Sequence, residues 1–197
     1  MRQINSFLLA AAIVCLFGCL TAASSSATIL TDGSGKQLPA GTLIKAESET
    51  MQFFHWPFWP DTVCEKSTLE AKITNAGGVE STVVALVLGL TFSGCSGGEN
   101  CSVVALKGGE LTFHTEKLAA NGNGTVTSSG LELTNQCTWA HCVWKTSNIN
   151  IGVITGGTPG RLDVNAKYAR SSGALCSETQ IWTGIYKFTS PTSLVVD

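Results

Sequence analysis

Short apolar segments rich in valine, isoleucine and threonine are separated by glycine-bearing turns about every 10 residues, and no stretch keeps a helical period long enough for a helix. These two observations predict an all-β chain, an antiparallel β-sandwich of jelly-roll or Ig-like type with a barrel as the variant. A third observation predicts that three disulfides staple it. Cys64, Cys95, Cys101, Cys137, Cys142 and Cys176 all follow an export signal, and exported thiols meet an oxidising compartment.

The export signal comes first. Arg2 supplies a positive charge, and residues 7–20 form an unbroken apolar run. That run is too short for a permanent membrane helix, which needs roughly 20 residues, but it suits a signal-peptide core. Ser25 and Ala27 offer small side chains for cleavage after Ala27, with Ala23 as a second site, so the expected division is a signal peptide over 1–27 and a single β-sandwich domain over 28–197. A competing route is lipidation of Cys19, because Leu16-Phe17-Gly18-Cys19 resembles a bacterial lipobox, although Phe17 fits that pattern poorly. Cys15 and Cys19 otherwise belong to a discarded segment.

Beyond Asp32-Gly33-Ser34-Gly35, a turn, the segment 42–49 begins strand material. Segment 63–74 is the next strand, broken at Asn75-Ala76-Gly77-Gly78. Segment 82–92 is the most apolar of the domain and is expected to be a central strand buried on both faces, bent or bulged at Gly89. Strands follow over 102–106 and 110–114, then Asn121-Gly122-Asn123-Gly124 marks a hairpin before a strand over 124–133. The rest fall at 138–144, 149–154, 161–168, 180–188 and 193–196. Within 180–188, Trp182, Gly184, Tyr186 and Phe188 share the face expected to be core.

Without residues 1–27 the charge is 11 basic minus 14 acidic, or −3, with no run of either sign. Nucleic-acid binding is therefore not expected, since phosphates need clustered Lys and Arg. No cofactor, metal site or catalytic constellation is expected either. His55, His114 and His141 form no metal pattern, the Cys95 and Cys101 spacing is too wide for zinc, and no G-x-S-x-G elbow is present. Gly33-Ser34-Gly35-Lys36 lacks the remainder of a phosphate loop, and Asp32, Asp61, Asp163 and Asp197 are scattered. Asn100-Cys101-Ser102 and Asn123-Gly124-Thr125 match the glycosylation acceptor pattern.

Residues 53–61 concentrate aromatics with two prolines. Pro57 and Pro60 remove backbone donors, which predicts an edge strand running into a loop. The rings have two destinations. They cap an open end of the sandwich, or they form an exposed surface of Phe54, His55, Trp56, Phe58 and Trp59 that binds a glycan, an apolar ligand or a membrane interface.

Gly41-Thr42, Leu90-Thr91-Phe92-Ser93-Gly94-Cys95, Leu175-Cys176, Trp182-Thr183-Gly184-Ile185-Tyr186 and Ser190-Pro191-Thr192-Ser193-Leu194 together make a pattern. It resembles a large set of uncharacterised secreted bacterial six-cysteine β-proteins, and more distantly the protein activator of alkane oxidation. The resemblance implies an exported β-protein and carries no catalytic residue. Six cysteines permit many connectivities, and pairing of sequence neighbours is the expectation: Cys64 with Cys95, Cys101 with Cys137, Cys142 with Cys176. The function expected from the sequence is a secreted or cell-envelope structural or interaction protein without catalytic activity. The alternative is an extracellular binding module for a glycan or apolar ligand using the aromatic segment Phe53 to Trp59, and the partner is then a cell-surface glycan, lipid or protein.

Overall fold

The computed structural model describes residues 27–57, 59–97, 100–115 and 122–197, with the main chain alone at 59 and 107. The predicted export signal and Cys19 lie outside the described residues. Fourteen strands follow in order: β1 (Thr28–Thr31), β2 (Leu43–Ser48), β3 (Gln52–Trp56), β4 (Trp59–Gly78), β5 (Ser81–Gly97), β6 (Ser102–Lys107), β7 (Glu110–Thr115), β8 (Gly124–Ser129), β9 (Glu132–Gln136), β10 (His141–Lys145), β11 (Ile149–Thr155), β12 (Arg161–Ser172), β13 (Thr179–Ser190) and β14 (Val195–Val196). The all-β expectation holds, and of the sandwich and barrel variants the structure is the barrel.

Closure follows from the long strands. β4, β5, β7, β8, β11, β12 and β13 are seven staves of a closed antiparallel barrel. The eighth is made of β2 and β3 in line, each paired with β13 on one side and β4 on the other. The sheet forks at β12. Its first residues, Arg161 to Val164, pair with β11, whereas Ala169 to Ser172 pair with β10, which leads to β9 and β6. The fork makes a lower tier (β2, β7, β8, β11) and an upper tier (β3, β6, β9, β10) that share β4, β5, β12 and β13. β1 and β14 pair at the lower end, where Leu30, Leu194 and Val196 are buried.

Four expectations need correction. Asn75-Ala76-Gly77-Gly78 does not break the strand, because these residues stay paired within β4 and the reversal falls at Val79 and Glu80, where Glu80 takes a positive φ of 61°. The segment 124–133 is two strands rather than one, because Gly130 takes a positive φ of 77° and turns the chain from β8 in the lower tier to β9 in the upper. The strand predicted over 82–92 is not buried on both faces. Val83, Ala85, Val87 and Leu90 point inward while Leu86 and Leu88 are exposed, and the predicted irregularity is real: Glu70 opposes Gly89 and Ala71 opposes Val87, so Leu88 is the extra residue of a β-bulge. The bulge shifts the inward set from 83, 85, 87 to 90. Finally, β3 is no edge strand. Trp56 pairs with Trp59, so Pro57 sits in a tight reversal and Pro60 at the start of β4, where the missing donor interrupts little.

The cross-strand pairs of the core explain some small residues. Trp182, Tyr186 and Phe188 are buried on one face of β13 as expected, and Gly184 between them leaves room for the buried Gln52 amide, which a Cβ would meet at 2.2 Å. Gln52 in turn accepts from Trp182 Nε1 at 2.8 Å and donates to the Thr50 carbonyl. Phe54, Phe92 and Trp182 pack edge-on and stacked within 6.1 Å of one another.

The disulfides are Cys64–Cys95, Cys101–Cys137 and Cys142–Cys176, the sequence-neighbour pairing. All three lie in the upper tier. The first joins facing residues of β4 and β5, the second closes the outer ends of β6 and β9, and the third ties β10 to the β12–β13 connection. Disulfides of this number within one chain belong to oxidising environments.

Both tyrosines of the chain, Tyr168 and Tyr186, are buried, and burial raises both hydroxyl pKa values above the ordinary 10.0. A hydrogen bond with Ser67 opposes the rise at Tyr186 but does not cancel it. In the unfolded chain both ionise near 10, so stability present below that pH is lost as pH climbs above it. In an alkaline titration followed by ultraviolet absorbance, tyrosinate is expected to arise only together with cooperative loss of the folded signal. Gradual ionisation near pH 10 with the fold intact would contradict the burial.

Candidate functional site

Strand alternation divides the aromatic segment between two faces. With β3 paired on both sides, residues 52, 54 and 56 face the core, and 53 and 55 face out. Phe54 and Trp56 are therefore fully buried, which corrects the expectation that they belong to an exposed surface. Trp56 meets Trp144 across the upper tier, ring centroids 5.0 Å apart and nearly perpendicular. His55 is exposed as expected, with Nδ1 at 2.7 Å from Asp61 Oδ1, also exposed. Phe58 and the Trp59 side chain lie outside the described residues. Phe53, the first residue of the expected aromatic segment though outside the five side chains named for its surface, is 41% exposed, as period-2 alternation through a paired strand requires.

Where the two tiers meet, Leu69, Val87, Leu111, Leu131, Ile151 and Trp182 surround a void of only about 10 Å³, no more than a single water needs. An apolar ligand has no room there. Among the described residues no group of three or more His, Cys, Asp and Glu is placed to hold a metal. An outer groove of about 220 Å³ runs between Lys45, Glu47, Thr68, Glu70 and Thr189, where Lys45 pairs with Glu70 at 3.4 Å in solvent. An exposed pair of this kind contributes little.

A more unusual surface lies where β5 meets β6. The two strands run antiparallel, held at one end by Val87 N–H donating to the Gly109 carbonyl and at the other by Cys101 N–H donating to the Gly97 carbonyl. Between those ties no ladder joins them among the described residues, so each keeps an unpaired edge. Leu86 and Leu88 on β5 and Val104 and Leu106 on β6 point outward, Leu88 at 52% and Leu106 at 49% exposure. The bulge at Leu88 is the local cause on β5, since it turns a leucine of the most apolar segment out of the core. Sequence reasoning missed this face because the run looked buried on both sides.

The arrangement offers apolar contact and main-chain hydrogen bonding. Compared with known proteins, the chain matches no family model, no curated protein and no solved structure.

Proposed function

We propose that the chain is an exported interaction module without catalytic activity, acting at the cell envelope or outside the cell through its outer surface. One observation carries this reading: the seam of β5 and β6 edges, unpaired among the described residues and flanked by Leu86, Leu88, Val104 and Leu106. Unpaired edges beside outward apolar side chains are what an extended segment of another protein uses to add a strand, main chain giving affinity and alternate side chains giving selectivity. The close packing where the tiers meet and the disulfide-tied upper tier suit a rigid platform more than a ligand carrier. The N-terminal signal makes export the expected route, with a soluble product or one lipid-anchored at Cys19.

A second reading keeps the aromatic segment with its membership revised. Exposed Phe53 beside the His55–Asp61 pair is a small aromatic and polar surface of the sort that stacks on a sugar ring. Site-specific photo-crosslinking separates the two. A photoreactive residue at Leu88 or Leu106, in the exported protein in its native envelope, is expected to yield a discrete protein adduct that the same residue at Lys167 does not. Equal labelling at all three positions would end the seam reading, and a glycan adduct from position 53 alone would favour the second.

A further inference from the structure

Five fully buried side chains of the upper tier carry hydrogen-bonding atoms with no protein partner: Trp56 Nε1, Trp144 Nε1, the Tyr168 hydroxyl, Asn135 Oδ1 and both amide atoms of Gln180. The registers bring them together. Gln180 is the cross-strand partner of Tyr168, and the β3–β13 ladder, which pairs Trp182 with Phe54 and Ile181 with His55, ends one residue short of Gln180 on β13 and of Trp56 on β3. Trp56 touches Trp144 across the tier, and Trp144 stands on β10 where it pairs with the end of β12, two residues beyond Tyr168. Asn135 also reaches across, its Nδ2 donating to Thr62 Oγ1 at 3.5 Å. Thr134, another buried hydroxyl without a partner, lies on the other face of β9 and is not part of the layer.

Magnitudes decide what such a layer contains. A buried polar group without a partner costs about 1–3 kcal/mol, and six such atoms together would cancel much or all of the roughly 5–15 kcal/mol that holds a domain folded. The balance therefore favours a hydrated layer over a dry one. The chemistry narrows the occupant. The orphaned donors are two indole N–H groups, a phenol and an amide N–H₂; the orphaned acceptors are two amide carbonyls and the phenol oxygen. No Asp, Glu, Lys, Arg or His is among them, and burial keeps the Tyr168 hydroxyl protonated. An anion would leave the carbonyls unsatisfied, and a cation would leave the indoles so. The occupant must be small and neutral, and must both donate and accept.

We infer that the upper tier encloses a structural hydration site, in which about two or three waters, at roughly three hydrogen bonds each, join Trp56, Gln180, Tyr168, Trp144 and Asn135 across the barrel. The site makes the two faces of the upper tier one hydrogen-bonded unit, whereas the lower tier is joined by apolar packing.

The test uses the disulfide-intact protein and water itself. Magnetic relaxation dispersion of the solvent counts waters held longer than nanoseconds, and Gln180→Met removes both amide atoms at similar volume. The variant is expected to lose the dispersion amplitude of at least one water and to melt at a lower temperature. Unchanged amplitude with a raised melting temperature is the signature of an amide that was buried dry, and would overturn the inference. Should the variant not fold, the wild type decides: the Trp56 and Trp144 indole protons are expected to show cross-relaxation with long-lived water, and its absence at both overturns the site.

Discussion

Replacing Trp56 by Ala is expected to lower the melting temperature by on the order of 10 °C, the effect of losing about 3–5 kcal/mol in a domain of this length. The indole is fully buried at the centre of the upper tier and packs edge-on against Trp144, so truncation removes a large apolar contact and leaves a cavity where β3 faces β10. His55→Ala, one residue along, is the internal comparison. Its ring is on the outer face in an exposed pair with Asp61, and its loss is expected to shift stability by no more than about 0.5 kcal/mol. A thermal melt of the two variants measures the alternation directly, and equal effects from both would mean that β3 does not present residues 54 and 56 inward.

Reduction of the three disulfides is expected to have the larger total effect. The bridges span 31, 36 and 34 residues, for which restriction of the unfolded chain contributes about 3–4 kcal/mol each. Their sum is comparable with the whole stability of an ordinary domain. All lie in the upper tier, where among the described residues β6 has a ladder only to β9 and the β5 edge is unpaired, so covalent ties replace main-chain pairing there. The expected result is loss of the near-ultraviolet dichroism of the core in reductant at a temperature where the oxidised protein is fully folded. Paired replacement of Cys142 and Cys176 by Ala alone should cost about 2–5 kcal/mol. Melting temperatures that agree within a degree or two with and without reductant would remove the bridges from the account of stability. Peptide mapping without reduction checks the three pairs themselves.

Much of the architecture was legible because it depends on local chemistry. Val, Thr and Ile at period 2 with Gly and Asn between them make strands and turns wherever the chain goes, and the inward face of β13 could be read from Trp182, Tyr186 and Phe188. The cysteine pairs are neighbours in sequence because each closes a short excursion of the chain: β4 to β5, the start of β6 to the end of β9, β10 to the β12–β13 connection.

What only the tertiary structure decided is where strands meet and which side turns inward. Alternation defines two faces of residues 52–56 without saying which is core; pairing of β3 with both β4 and β13 makes Phe54 and Trp56 core and leaves Phe53 and His55 outside. One extra residue at Leu88 reverses the facing of part of β5, a change that composition cannot reveal because leucine suits either side of the bulge. The fork at β12 likewise sends β8 and β9, continuous in sequence, to different tiers. The amino-acid order thus determined the strands, turns and bridges, while barrel closure, the exposed seam and the buried polar layer depend on registers between residues far apart in the chain.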